Sequence, residues 1–393
     1  MSRTAQELVF PRPLTPEGAP DPLLLEMART SPVLRVIGPG DSPAWLVAGE
    51  AEVRIALSEP DRFTSVPPAN LDDQRAYAVP LVGMDPPEHT RLRKLATKAF
   101  SPRRIASMQP TIDSLVASLL DDLVAAGPPA DIVSALAYPL PLEVVFGMLG
   151  GIPEEVRADL RRWTDIFTSL DSSSFEDIGS AVAEFHACMR ELILRRRSEL
   201  GDDLMSDLIR ARDERGALSE EELIGTMGLL IVAGYETTAK VISRAVMTLL
   251  VSGTWRELAA GTLPVGDAVE EVLRHQSPNT AICRTAKVDT ELGGARITAG
   301  DAVYISTHLG NFDPTTRADP GTFDPARTDT GHTTFGYGLH FCLGAALARA
   351  ELSTVFTALP ARLPGLRLAT GLAELEWNVG SWLNAPNSVP VTW

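Results

Sequence analysis

The strongest hydropathy pattern in the chain lies between residues 219 and 253. Ser219-Glu220-Glu221-Glu222 has the form of a capping box, a hydroxyl followed three residues later by a carboxylate. Apolar residues then recur through Leu229, Leu230, Ile231, Val232, Val241, Ile242, Val246 and Leu250, and the pattern stops near Gly253. At ~1.5 Å per residue this predicts a rod of roughly 48 Å. Apolar side chains surround much of its central part, which predicts a rod running through the middle of the molecule. A long surface helix is the alternative, and it would need only one apolar stripe.

Other helices are marked by their ends. Ser101-Pro102 pairs an N-cap hydroxyl with Pro at the first helical position, and Ile152-Pro153-Glu154-Glu155 repeats the combination of Pro and acid. An amphipathic run from Ala181 to Leu200 stops at Gly201, and after Gly266 a shorter helix is expected over Asp267 to His275. Pro-rich segments at Pro11 to Pro22, Pro67 to Pro87 and Pro128 to Pro141 are expected to interrupt helices. Ala286 to Ile305 has strand character, with turns at Gly293-Gly294 and Ala299-Gly300-Asp301. Asn311 to Thr333, rich in Asp, Pro, Thr and Gly, is expected to be a loop, and a loop of this length is usually functional or disordered. There is no internal repeat and no low-complexity tract.

Composition narrows the function. With 51 acidic against 35 basic side chains among 393 residues, the formal charge is −16, and the long-range field opposes binding to nucleic acid. At 45% hydrophobic and 22% charged residues the chain is an ordinary globular protein, and length alone suggests two or three domains. Cys188, Cys283 and Cys342 are odd in number and far apart, so they form no disulfide framework. The first ten residues have no apolar leader pattern, and no uncharged run approaches the ~18 residues that span a bilayer. A cytoplasmic protein outside the membrane is expected.

Chemistry concentrates at Phe335-Gly336-Tyr337-Gly338-Leu339-His340-Phe341-Cys342-Leu343-Gly344, where one Cys follows a glycine-punctuated loop and precedes the helical run Ala345 to Leu352. Glycines let backbone approach another group closely. A thiol at a helix N-terminus is expected to have a lowered pKa. The plainer reading is a buried inert Cys, but packing alone does not call for glycines at 336, 338 and 344. A second unusual segment, Ala233-Gly234-Tyr235-Glu236-Thr237-Thr238, interrupts the central helix. Gly in a helix costs ~1 kcal/mol, and a carboxylate among apolar residues needs partners. A kink with Thr bonding back to the preceding turn is the structural alternative.

The Cys segment resembles the heme-binding signature of the cytochrome P450 monooxygenases, Phe-x-x-Gly-x-x-x-Cys-x-Gly, with Phe335, Gly338, Cys342 and Gly344 in place. The resemblance implies that Cys342 is the axial thiolate of heme b (iron protoporphyrin IX), a ligand whose electron donation favours O–O cleavage. Phe335, Gly336, His340 and Gly344 would be cofactor contacts, His340 at a propionate. Ala233-Gly234-x-Glu236-Thr237 is similar to the family's oxygen-activation motif, which implies that Glu236 and Thr237 relay protons to dioxygen, with Ala233 and Gly234 against the cofactor.

Further positions follow from the same resemblance. Glu271 and Arg274, three apart on one helix face, match the family's structural Glu-x-x-Arg pair. Thr322 stands where relatives commonly carry Arg or His, which puts the usual third partner in doubt. His89 and Arg93 share a face of the helix opened by Asp85-Pro86-Pro87, and the resemblance makes them heme-propionate ligands with Arg284. Between His89 and Ile112 the chain carries six Lys or Arg and no acid. The outward members, Arg91, Lys94, Lys98, Arg103 and Arg104, are expected either to receive an acidic ferredoxin on the thiolate side or to form only a solvated face.

The landmarks run in family order from residue 85 to 351, which implies one mainly helical P450 domain over residues 1–393 with a smaller β-rich part, in place of two or three domains. Heme would lie between the central helix and the Cys342 helix. The implied activity is insertion of one oxygen atom from O2 into a mostly apolar organic substrate such as a secondary metabolite, with electrons from a separate ferredoxin and ferredoxin reductase. The substrate pocket is expected at Pro67 to Gly83, at Leu230, Ala233 and Gly234, at Asn279 to Ile282 and at Trp382 to Ala385. The alternatives are a heme-thiolate sensor without turnover and a P450-type enzyme that performs oxidative coupling or C–C cleavage.

Overall fold

A computed structural model describes residues 8–66, 80–170 and 175–393. Its helices are α1 (Pro22–Thr30), α2 (Glu50–Ser58), α3 (Glu88–Thr97), α4 (Pro102–Ala126), α5 (Pro139–Met148), α6 (Arg157–Thr168), α7 (Phe175–Ser198), α8 (Leu204–Asp213), α9 (Glu220–Ser252), α10 (Thr254–Ala260), α11 (Val265–His275), α12 (Thr307–Gly310) and α13 (Ala345–Arg362). The strands are β1 (Val33–Gly38), β2 (Ser42–Val47), β3 (Phe63–Thr64), β4 (Ala130–Asp131), β5 (Ile282–Ala286), β6 (Thr290–Leu292), β7 (Ala295–Ile297), β8 (Ala302–Ile305), β9 (Arg367–Leu368) and β10 (Pro390–Thr392).

The expected rod is α9, 33 residues long. Ser219 accepts from the Glu222 N–H, the Glu222 side chain returns to the Ser219 N–H, and Gly253 closes the helix at φ 83°. Both caps are therefore local, made from residues adjacent to the helix they end. From Tyr235 to Leu249 nearly every side chain is buried, as α5, α7, α8, α10 and α11 pack around it. A surface helix is excluded. Ser101 caps α4 through the Arg104 N–H. The Pro-rich segments behave differently from expectation, because Pro22 and Pro139 open helices α1 and α5. Pro at the first helical turn lacks an N–H that would have been unpaired anyway. The Pro153 segment first makes a short 3-10 turn, Glu154–Val156, and α6 starts at Arg157.

A five-stranded sheet of order β1-β2-β8-β5-β3 stands beside the helical core. Its β2–β8 pairing is parallel and brings Trp45 opposite Val303, while the other pairs are antiparallel. Gly293 and Gly294, at φ 55° and 78°, make the expected turn between β6 and β7. β4, β10 and β9 form a small second sheet. No helix among the described residues is long and apolar enough to cross a membrane.

The 311–333 loop has almost no regular structure and is tied down by guanidinium groups. Arg317 pairs with buried Glu50, Arg327 donates to the carbonyls of Ala318, Asp319 and Thr322, and Arg274 donates to those of Asn311, Pro320 and Thr322. This fixes the chain as it enters the Cys loop.

Candidate active site

One interior cavity of about 320 Å³ collects the chemistry read from the sequence. α9 supplies Ala233, Gly234 and Thr237, α3 supplies His89 and Arg93, β5 supplies Arg284, and the Cys loop supplies Phe335, Gly336, His340, Cys342 and Gly344. The remaining wall is largely apolar, with Leu81, Val145, Met148, Leu204, Leu230 and Ile282 among its members. Leu81, Val82, Leu230, Ala233, Gly234, Asn279 and Ile282 stand where the pocket was expected. Residues 67–79 of the expected pocket loop lie outside the described residues. The Trp382 to Ala385 expectation is corrected: Leu383 makes a bridge to Asn279 and Trp382 packs on Tyr304 at 5.4 Å, so this segment backs the wall. Val145, Met148 and Leu204, from α5 and the start of α8, were not read from the sequence, because an apolar residue facing a cavity looks the same there as one facing a core.

The Cys loop takes its shape from two glycines. Gly336 and Gly338 sit at φ 73° and 71°, and a Cβ on Gly338 would lie 2.9 Å from the Leu57 carbonyl oxygen and the Ser58 Cα. Both constraints act against any other residue. Gly338→Ala is therefore expected to destabilise the protein by more than about 1 kcal/mol, read as a lowered urea midpoint. An unchanged midpoint would show that the loop yields freely. Gly234 has a packing role as well, since a Cβ there would meet Val145 at 2.6 Å, so its place in α9 also lets α5 approach.

Cys342 lies just before α13, and its N–H donates to the Phe335 carbonyl at 2.8 Å. Its side chain opens onto the cavity. The expectation of a lowered thiol pKa is corrected: burial pushes the thiol up, outweighing the Gly344 N–H, Arg93 and Arg349, which act to lower it. Desolvation of a thiolate costs more here than one helix end and two distant guanidiniums return. A bound cation reverses this balance, since metal coordination deprotonates a thiol.

The four groups expected at the propionates converge. The His89 and His340 rings stand 4.1 Å apart, Arg93 donates to the Phe341 carbonyl, and Arg284 is buried beside them in β5. His89 is buried, and neither ring nitrogen has a hydrogen-bond partner among the described residues. Burial lowers the pKa of both histidines, His340 to about 3, and neighbouring cations add to the effect. Two guanidiniums and an unpaired, buried imidazole facing a cavity are a donor set suited to an acidic group. The open thiol and this donor set fit heme b: Cys342 would hold the iron, and His89, Arg93, Arg284 and His340 would meet its carboxylates.

Thr237 reaches the cavity and bonds back to the Ala233 carbonyl at 2.8 Å, the geometry of the structural alternative, within a helix that continues unbroken. Glu236 is buried away from the cavity lining and accepts from Tyr138 at 2.9 Å, with Lys240 at 3.2 Å. Sequence reading missed both partners; Lys240, charged within an apolar run four residues on, was the available signal.

Glu271 and Arg274 form the expected pair, with two hydrogen bonds of 2.7 Å. The doubt raised by Thr322 is answered by Arg327, whose Nε lies 3.7 Å from Glu271 Oε2. The third cation is present, five residues further along the loop. In the basic segment, Arg91 pairs with Glu222 and Arg104 with Asp202. Lys94, Lys98 and Arg103 are exposed and make no ion pair among the described residues.

A thiol presented by a glycine loop to the cavity that the Thr237 alcohol of a buried helix also lines, with cations set for an acidic prosthetic group, defines a heme-thiolate protein. The cytochrome P450 family model matches residues 80–252 and 262–360, and the chain belongs to that family. It is 39% identical to nocardicin C N-oxygenase of Nocardia uniformis subsp. tsuyamanensis, with 92% of each chain covered. It is 38% identical to mycinamicin IV hydroxylase/epoxidase of Micromonospora griseorubida, with 94% of each covered. The structure of the mycinamicin VIII C21 methyl hydroxylase from Micromonospora griseorubida matches at a TM-score of 0.90 and 31% identity, covering 98% of this chain and 100% of that one. The protein is thus a heme-dependent oxidoreductase of the P450 monooxygenase type.

Proposed function

We propose that this P450 hydroxylates or epoxidises a bulky, mostly uncharged secondary metabolite, with electrons delivered by an acidic ferredoxin in the cytoplasm. The carrying observation is the cavity itself, apolar along most of its wall and lined by both Cys342 and Thr237. Heme bound at Cys342 supplies reductive activation of dioxygen, and thiolate donation favours O–O cleavage. The chain's own residues do the rest. Arg93 and Arg284 would neutralise the cofactor's carboxylates and His89 and His340, neutral imidazoles, would orient them by hydrogen bonds, the aliphatic wall excludes water, and the Thr237 hydroxyl, held toward the Ala233 carbonyl, passes protons at the cavity edge. The relatives' names, an N-oxygenase and a hydroxylase/epoxidase, support oxygen insertion into an antibiotic-type molecule. The test is the absorption spectrum of the reduced protein with carbon monoxide, followed by a spin-state titration across a metabolite panel. A protein that shows no thiolate-type spectrum, or no spin shift with any uncharged member, contradicts the reading.

The candidates for docking ferredoxin are Lys94, Lys98 and Arg103, exposed and in no ion pair among the described residues. Arg93 ties α3 to the Cys loop through the Phe341 carbonyl, so the exposed charges of α3 and the next turn lie close to the thiolate side. Lys94→Glu with Lys98→Glu is expected to slow ferredoxin-dependent reduction about tenfold at low salt, the difference shrinking as salt rises. Arg104→Glu, at a position already facing Asp202, is expected to change the rate less. Equal rates for all three proteins at low salt would refute docking at this face.

A further inference from the structure

Arg244, in the second half of α9, carries a buried charge that nothing on the chain balances. It is 0% exposed. Its guanidinium donates to the Gln276 side-chain oxygen at 2.9 Å, to the Asn384 carbonyl at 3.1 Å and to the Gly18 carbonyl at 2.7 Å, and it lies 5.5 Å from the centre of the Trp377 ring. All these partners are neutral, and no carboxylate pairs with Arg244 among the described residues. A guanidinium has five N–H donors, so two remain after the three bonds are made. Burial alone pushes its pKa down to about 9. Carbonyl dipoles soften the cost of burying a cation but leave its charge uncompensated.

A small pocket borders this guanidinium. Its volume is about 20 Å³, room for one solvent-sized guest. It shares Pro278 and Asn279 with the large cavity and is otherwise separate from it. The remaining charges on its wall cancel, since Arg12 pairs with Asp21 at 2.7 Å and Asp21 also accepts from the Leu23 N–H at 2.7 Å. Burial and Arg244 itself keep His308 neutral. Two neutral groups on the wall have hydrogen-bonding capacity to spare. Ser277 is buried, and its hydroxyl reaches Thr307 Oγ1 only at 3.5 Å. Asn384 is 4% exposed and its side-chain oxygen has no partner among the described residues, so no bond to that oxygen opposes a half-turn about Cγ that brings the amide N–H groups round.

We propose that this pocket is a binding site for one small monovalent anion of the halide type, held by the Arg244 guanidinium with the Ser277 hydroxyl and the Asn384 amide as further donors. An anion cancels the buried charge, which a water molecule in the same place does not. The volume suits chloride or bromide and is too small for sulfate or phosphate. The site is independent of heme and of oxygen chemistry, so it stands or falls apart from the function proposed above.

Two measurements on the heme-loaded protein test it. Crystals soaked in sodium bromide, read by anomalous scattering, are expected to show a bromide in contact with the Arg244 guanidinium; a pocket that holds only water under those conditions overturns the site. In solution, raising chloride from about 5 to about 500 mM, with gluconate making up the ionic strength, is expected to multiply the folded-to-unfolded ratio about tenfold for a dissociation constant of about 50 mM. Circular dichroism against urea gives that ratio. Asn384→Asp places a carboxylate beside the guanidinium and so supplies the anion from the chain itself. This variant is expected to have a higher urea midpoint than the parent at low chloride and to respond little to added chloride. A parent protein indifferent to chloride, or an Asn384→Asp protein that responds as strongly as the parent, overturns the proposal.

Discussion

Cys342→Ser yields a folded protein that has lost the thiolate-type spectrum of the reduced, carbon-monoxide-treated parent, with oxygen insertion at least about a thousandfold slower, some 4 kcal/mol of transition-state stabilisation. The two atoms differ little in size, and the side chain at 342 opens onto a cavity, so few packing contacts change and stability should stay within about 1 kcal/mol. The chemistry changes completely, because a hydroxyl stays protonated where a thiol, once bound to a cation, gives up its proton. Cys283 and Cys188 provide the control. Cys283 lies on β5 and Cys188 on α7, neither borders the cavity, and Ser at either should leave the spectrum as it was. A Cys342→Ser protein that kept the parent spectrum would move the metal ligand elsewhere.

The parts of this molecule that could be read from sequence are those whose cause is local. Ser219 and Glu222 cap α9 from within four residues, Ser101 caps α4, and Gly336 and Gly338 are required by backbone angles at their own positions. The thiol's surroundings failed as a prediction for the opposite reason. A helix N-terminus is visible in a sequence, whereas the desolvation that outweighs it arises in a cavity whose other walls come from α3, α9 and β5. The same holds for the sheet: Trp45 donates to Asp301, 256 positions away, and nothing near either residue announces the partner. Arg327 was invisible because the 311–333 loop has no periodicity from which to infer which of its cations turns inward. Tyr138 lies about a hundred residues before Glu236 and reaches it only because the turn that leads into α5 packs against α9.

That dependence on distant contacts is concentrated at Arg274. It is 1% exposed, it forms two hydrogen bonds to Glu271, and it donates to three carbonyls of the loop that leads into the Cys segment. Arg274→Ala removes all five interactions and leaves the Glu271 carboxylate with the Asp324 N–H and with Arg327 at 3.7 Å. Breaking a buried pair from one side costs about 3–5 kcal/mol, a large part of the ~5–15 kcal/mol that holds a domain folded. The variant is expected to unfold at much lower urea and to retain little heme, because the 311–333 loop loses its inner anchor. Removing both charges with similar volume, Glu271→Leu with Arg274→Met, should cost less than Arg274→Ala alone, since no uncompensated carboxylate stays behind. Arg327→Ala should fall between the parent and Arg274→Ala, as Glu271 keeps its bidentate partner. Circular dichroism against urea gives the order. If Arg274→Ala melted with the parent, the pair would be a bystander, and the loop would have to be held by Arg317 and Glu50 instead.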